Sequence, residues 1–329
     1  GIALIGIGEG LGIPTPMAAG AIISGAYLGD KISPLSDTTN LAPGTVGDTD
    51  LFDHVRHMLH VSIPAFVITL TIYGFMGMRF ASNNLELGRI EKITTTIANN
   101  FYISPILFLA PVFVIIIIAY KVPPIPGLLG GSILGGIFAI VFQGADISSV
   151  INSMHYGFVM DSNVEMVNEL LSAGGLHEML WTISLILVAL SFGGILEKCG
   201  FLSVILENIL KVAKTYGNLS LVTHLTSIFV NLVTADQYLS IVLPARMYSQ
   251  AYKDMGAHPK NLSRTVEASG TVTSPLIPWN TCGAFMMGAL GVSPLAYLPF
   301  AFFNLLTPII SISYGYLGIS FAEWDKENE

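Results

Sequence analysis

One stretch limits what this chain can become: Gly25 to Gly44, GAYLGDKISPLSDTTNLAPG. It follows an apolar run, Pro16 to Ala26, and a second long apolar run begins near Val61. Between them stand Asp30, Lys31, Ser33, Ser36, Asp37, Thr38, Thr39 and Asn40, with Pro34 and Pro43 as helix breakers. In a water-soluble chain this would be a polar loop. Its flanks are long enough to span a bilayer, and that changes the expectation. Irregular backbone at membrane depth survives only when it is buried in protein or lines a wet cavity. Ionisable residues there mark, by default, a path for a substrate or an ion.

Composition supports the membrane reading. Hydrophobic residues make up 52% of the chain and charged residues only 11%, against roughly 25% charged in soluble domains. Mean hydropathy is +0.68. A net charge of −8 without any basic run argues against nucleic-acid binding. Cys199 and Cys282 make neither a disulfide framework nor a metal-ligand cluster. The expected class is an all-α, polytopic membrane protein of about eight to ten membrane segments, two of them broken or re-entrant.

In chain order, residues 1–26 are apolar and Gly-rich. GIGEGLG lacks the strand and Gly-Lys-Ser/Thr ending of a phosphate loop, so its glycines read as a helix-packing face. Glu9 lies in a cavity or near an interface. Residues 44–60 carry His54, His57 and His60. A metal site is one reading, and a solvated loop leading into an interfacial helix is the other. A span over Val61–Met78 follows, with Pro64 near its start, then a polar connector at 79–103. Further spans cover Ile106–Tyr120 and Gly127–Phe142, joined by the Pro-rich turn KVPPIPG. Residues 146–175 read as an amphipathic interfacial segment with a surface His155, and 177–196 as a span. An amphipathic stretch, 201–214, comes next. Leu219–Val233 is a span that breaks at Thr234–Gln237 and resumes as Tyr238–Tyr248. The basic loop 249–264 is expected in the cytoplasm, and a last span covers Ala296–Phe321 ahead of the charged tail Glu323–Glu329.

The chain also repeats itself. At one fixed offset, Gly29 matches Gly270, Ser33-Pro34-Leu35 matches Ser274-Pro275-Leu276, and Thr39 matches Asn280. Tyr73-Gly74-Phe75-Met76-Gly77 matches Tyr314-Gly315-Tyr316-Leu317-Gly318 at the same offset. The repeat-related parts are approximately 1–80 and 230–321, with intervening spans over 104–215. Interrupted hydrophobic segments at corresponding positions of two halves point to a transporter site near the midplane.

Three strings carry a family resemblance: GDKISPLSDTTNLAP, TADQYLSIVLPARMY (234–248) and SPLIPWNTCGAFM (274–286). They resemble the signatures of NhaC-type sodium/proton antiporters, over essentially the whole of 1–329. The resemblance implies inverted repeats and a multi-pass protein of the bacterial plasma (inner) membrane. It also implies exchange of sodium or lithium for protons as cargo, with no cofactor. Family members carry more chain ahead of this point, so the domain is expected to be N-terminally incomplete. Nothing in the chain marks an oligomer interface, and a homo-oligomer stays open.

Under that resemblance, a small hard cation needs oxygen ligands. The first broken segment offers Asp30, Ser33, Ser36, Asp37, Thr38 and Asn40; the second offers Glu267, Ser269, Thr271, Thr273, Ser274, Asn280 and Thr281. Asp37, Thr38 and Asn280 are the expected sodium ligands. Asp236 adds a carboxylate from the third break, or else caps the resumed helix. A carboxylate at a helix centre costs about 2.5–3.5 kcal/mol on insertion scales, and this cost is met by a cation, a proton or a partner. Competition of proton and cation for desolvated carboxylates gives obligatory exchange, with Asp37 the leading acid. Lys31 is a rival ion-pair partner for Asp30. Glu267 is a charge partner or lies at the interface beside Arg264.

Arg246 neutralises Asp236 or holds a substrate carboxylate. Relatives of the family exchange malate and lactate with cations, so a coupled organic-acid exchanger is the alternative. An intramembrane aspartyl protease is disfavoured: Tyr27 stands where the first Gly of Gly-x-Gly-Asp belongs, and Ala235 precedes Asp236 in place of Tyr. A non-transporting scaffold leaves the paired polar breaks unexplained.

Overall fold

Helices dominate the described chain, and an isolated β-bridge pairs Ala257 with Glu323. The computed structural model describes residues 1–34, 36–81, 87–120, 124–172, 174–201, 204 and 213–324. Leu35, much of the turn 121–127, most of the stretch 201–214 and the end of the charged tail lie outside the described residues. The chain divides into two units, residues 1–83 with 181–329, and residues 84–180.

The smaller unit holds α5 (Leu87–Asn100), α6 (Leu109–Ala119), α7 (Pro124–Gln143), α8 (Ile147–Tyr156) and α9 (Glu165–Leu171). Helix α6 packs on α7, where a Cβ on Gly131 would sit 2.9 Å from Val114, so glycine sets the approach. The polar connector expected at 79–103 is therefore largely helix α5, and the segment expected to be interfacial is α8 and α9. Asp146 caps α8 by accepting from Ser149 N at 3.2 Å.

The larger unit contains α1 (Ile2–Gly10), α2 (Thr15–Ile32), α3 (Asp37–Val46) and α4 (Leu51–Ala81). After α10 (Leu176–Lys198) it continues with α11 (Tyr216–Thr234), α12 (Gln237–Asp254) and α13 (Pro259–Val266). A five-residue π turn, Glu267–Thr271, extends α13. Helices α14 (Thr281–Leu290), α15 (Pro294–Tyr297) and α16 (Phe302–Leu317) complete it. Helix α13 and the π turn run through the middle, packed by α3, α4, α11 and α12, and every residue from Asn261 to Ile277 is buried.

The helices around this centre turn polar stripes inward. Helix α11 buries His224, Thr226, Ser227 and Asn231 and exposes Leu225 and Leu232. Helix α16 buries Asn304, Thr307 and Ser311 and exposes Ile309 and Leu317. Apolar outside and polar inside is what a lipid solvent selects. Among the described residues, α4 and α10 are single helices long and apolar enough to cross a bilayer. Two pairs, each bent by 88° at a short break, raise that number to four. Length and hydropathy undercount here because α2 carries Asp30 and Lys31, and because the α11–α12 segment is split in its middle.

Two expectations need correction. Helix α4 starts ten residues before the expected span, so Pro64 is inside the helix. The early turns are solvated on one face only: Asp53, Arg56 and His60 are exposed, but His54 is 0% and His57 6% exposed. His54 Nδ1 pairs with Ser263 Oγ at 2.7 Å, and His57 Nε2 with Asn261 Oδ1 at 3.2 Å. His54, Met58, Val61 and Ala65 continue one helical face, which meets α13. No group of three or more His, Cys, Asp or Glu suited to a metal occurs among the described residues.

Candidate functional site

The first break forms because Ser33 leaves the helical region at the end of α2 and the following Pro34 disfavours its return. Much of the polar stretch serves the break itself. Thr39 Oγ1 donates to the carbonyls of Asp30 and Lys31, at 3.2 and 3.3 Å, in the last turn of α2, where helix carbonyls run short of intrahelical donors. Asn40 Nδ2 donates to Pro34 O at 2.9 Å and Ser36 O at 2.6 Å. Ser33 sits at the break with its N–H on Asp30 O at 3.2 Å. Asp37, at the exposed start of α3, accepts from Thr38 N at 2.9 Å and from the Tyr238 hydroxyl of α12. An acid there is favoured by the helix dipole.

Thr38 joins the first broken segment to the second. Its Oγ1 lies 3.1 Å from Ser36 Oγ, and 3.4 Å from both Asp30 Oδ2 and Glu267 Oε1. Behind this hydroxyl sit Lys31 and Glu267, each 0% exposed, and Arg264 at 1%. Arg264 Nη1 donates to Ser320 O at 3.0 Å. Lys31 Nζ makes no hydrogen bond, although Glu267 and Asp30 lie within electrostatic reach. Two acids and two bases thus balance formally around Thr38, three of them buried and Asp30 half-buried, where an unbalanced charge would be costly. Glu267 opens the π turn, a helix irregularity that recurs at functional sites.

The third break is tied to the second. Ala235 ends α11 at φ 58°, a left-handed conformation costly for a residue with a Cβ. Its carbonyl accepts from Thr281 N at 2.9 Å, at the first turn of α14. Asn231 Nδ2 donates to Gly270 O at 2.7 Å and Thr273 Oγ1 at 3.2 Å. Asn280 Nδ2 donates to Asn231 Oδ1 at 3.0 Å, and Asn280 Oδ1 caps α14 through Cys282 N at 3.0 Å. Asp236 Oδ1 caps α12 through Leu239 N at 2.7 Å.

The structure therefore brings together Asp30, Thr38 and Glu267, with Asp37 on the rim. Asn280, Thr281 and Ser274 hold the second break: Ser274 Oγ donates to Thr271 O at 2.7 Å and Thr281 Oγ1 lies 3.4 Å from Asn280 Oδ1. Arg246 lies on the exposed side of α12, and Glu267 is buried rather than interfacial. Sequence reasoning passed over Asn231, Tyr238 and Asn304. The lone amides inside FVNLV and FFNLL were the available signal, since a polar side chain within a span needs a partner.

The profile of the Na+/H+ antiporter family matches residues 25–319. The chain is 42% identical over 320 residues to the Na(+)/H(+) antiporter NhaC of Alkalihalophilus pseudofirmus, covering 97% of this chain and 69% of that protein. It is 40% identical over 328 residues to the malate-2H(+)/Na(+)-lactate antiporter of Bacillus subtilis, covering 100% and 70%. It is 42% identical over 330 residues to the arginine/ornithine antiporter ArcD of Halobacterium salinarum, covering 99% and 68%. No solved structure matches the chain. The resemblance carried by the three sequence strings and the extent of these matches agree: the chain belongs to the Na+/H+ antiporter family, a family of membrane transporters and not enzymes.

Proposed function

We propose that this chain exchanges sodium or lithium for protons by alternating access, in the plasma (inner) membrane of a bacterium. The observation that carries the reading is Thr38 Oγ1, held 3.4 Å from a carboxylate of each broken segment. One hydroxyl between two acids, next to two buried bases, is a place where a monovalent cation and a proton compete. The exposed Asp37 carboxylate faces the incoming ion first, and Asp30 and Thr38 follow it inward. Because the interior is formally balanced, an arriving cation is accommodated when a proton leaves. That exclusion couples the two flows. The helix–break–helix segments 15–46 and 259–290 are the repeat-related elements whose rocking changes the side from which the site is reached.

The test is proton flux from acid-loaded vesicles containing the full-length protein, with sodium, lithium, potassium, malate and lactate added one at a time. Sodium or lithium alone dissipates the gradient, and Asp37→Asn and Thr38→Val abolish the response. A response that requires an organic acid sinks this reading. It would favour the second one, an organic-acid exchanger of the malate/lactate kind, for which the 40% identical relative speaks. Arg246, exposed on α12, is then the residue that receives the substrate carboxylate.

A further inference from the structure

Helix α16 ends at Gly318, in the left-handed conformation at φ 67°, and the chain turns back over the start of α13. The polar anchors of residues 320–324 lie on α13 and on the turn before it. Arg264 Nη1 donates to Ser320 O at 3.0 Å. Asn261 Nδ2 donates to Ala322 O at 2.7 Å, and Ala322 N donates to Asn261 Oδ1 at 3.1 Å. His258 N donates to Ala322 O at 2.9 Å, and Trp324 N to Gly256 O at 2.8 Å. Lys253 Nζ stands 5.1 Å from the Trp324 ring centre, and the Phe321 ring packs on Tyr216 at 4.6 Å. This strap covers the start of α13, and α13 leads to Glu267. Its eight residues measure about 12 Å.

The two ends of the site differ. Helices α3 and α12 both run from the site towards the strap: Asp37 meets Tyr238 at their starts, and Asp48 meets Lys253 at their far ends. At the starts, Asp37 is exposed, Asp30 half-buried and Tyr238 47% exposed. Towards the strap, Tyr252, Ala257, Asn261, Leu262 and Arg264 are 0 or 1% exposed. The site is open beside Asp37 and closed beyond Arg264. Alternating access requires the closed end to open in its turn. Helices α4 and α12 also cover α13, but they are long and packed along it. The strap is short and held by polar bonds that water replaces at small net cost, with Gly318 as a ready hinge. We propose that residues 318–324 are the gate at this second end of the ion path, shut in this structure, with Arg264 as its inner bolt. Lifting the strap takes Ser320 O from Arg264, so the gate and the charge balance around Thr38 are linked through one side chain. The inference rests on the exchange reading above and adds to it which end is shut and what shuts it.

Ala257 and Glu323 face each other across an antiparallel bridge. The bonds from His258 N to Ala322 O and from Trp324 N to Gly256 O flank them, so theirs is the non-hydrogen-bonded kind of pair, with Cα atoms about 4.5 Å apart. That spacing suits a disulfide. The test is the double variant Ala257→Cys with Glu323→Cys in the full-length protein, oxidised in vesicles. Sodium-driven proton flux is lost on oxidation and restored by dithiothreitol. Sodium binding to the oxidised, purified protein, read by titration calorimetry, is retained because the Asp37 side stays open. Each single variant, which keeps the native Cys199 and Cys282, is unaffected by the oxidant. Full flux with the disulfide formed makes the strap a fixed part of the fold and overturns the gate. Thiols that stay free after oxidation overturn the pairing and the gate with it. Equal inhibition of the single variants, or loss of binding together with flux, assigns the effect to other thiols or to distortion and also overturns the gate. In each of these cases the exchange reading stands if the unaltered protein responds to sodium. No sodium-driven flux in the unaltered protein overturns the exchange reading itself, and the gate with it.

Discussion

Replacing Asn231 by leucine tests how the breaks are joined. The side chain makes three hydrogen bonds at a fully buried position: to Gly270 O at 2.7 Å, to Thr273 Oγ1 at 3.2 Å and from Asn280 Nδ2 at 3.0 Å. The contact from Asn280 Nδ2 to the main-chain oxygen of Asn231, at 3.3 Å, survives the change. Interhelical hydrogen bonds in membrane proteins average about 0.6 kcal/mol, less than buried bonds in water-soluble proteins, so three remove about 2 kcal/mol. Gly270 O, left without its donor in a dry interior, adds about 1 kcal/mol or more. The expected loss is about 3 kcal/mol, read by equilibrium unfolding in mixed micelles. Asn231→Asp keeps the acceptor and loses the donor, so its bond to Asn280 survives while its bonds to Gly270 and Thr273 do not. A loss well under about 1 kcal/mol for the leucine variant, with exchange intact, would refute the idea that this amide binds the third break to the second.

Asp236→Ala removes the cap of α12 and costs about 1 kcal/mol of stability, whereas Asp236→Ser restores it. If the serine variant is stable but dead in transport, Asp236 is a ligand and not only a cap. Gly283→Ala places a Cβ 1.9 Å from Ile277 O, backbone that cannot step aside. The variant is expected to yield little folded protein, and normal yield and thermal midpoint count against the geometry of the second break. Outside the membrane, Lys253 Nζ lies 2.8 Å from Asp48 Oδ2 and holds that carboxyl below the ordinary range. Its small stabilisation is complete above the unfolded value, about 3.9, and is lost as pH falls through the folded value. Nuclear magnetic resonance titration of Asp48 reads this directly, and Lys253→Met returns the carboxyl to its ordinary position.

Much of the architecture was legible in the sequence. The break near Ala235 falls where Thr234, Ala235 and Asp236 interrupt an apolar run, and the span ending near Glu197 is α10. Two expectations failed for one reason. His54 and His57 look solvated when polarity is averaged over a window, but they lie on the face of α4 that continues through Met58 and Val61. Averaging hides a periodic face, and only packing against α13 supplies Ser263 and Asn261 as partners.

The sequence by itself determined that polar, helix-breaking segments lie between membrane-length apolar runs, that they recur at a fixed offset, and which family strings they carry. Those properties follow from residue type and order, because a lipid solvent forbids unsatisfied backbone and makes every buried charge an exception. Only the tertiary structure decided how the oxygens divide. Thr39, Asn40, Ser274 and Asn280 are consumed by hydrogen bonds at the breaks, while Asp30, Thr38 and Glu267 meet. Hydroxyls, amides and carboxylates look alike in a sequence whichever partner they take. Thr39, Asn40 and Ser274 find partners nearby in the chain, but Thr38 meets Glu267, and Asn280 meets Asn231, from helices far apart along it, so those assignments are a property of packing.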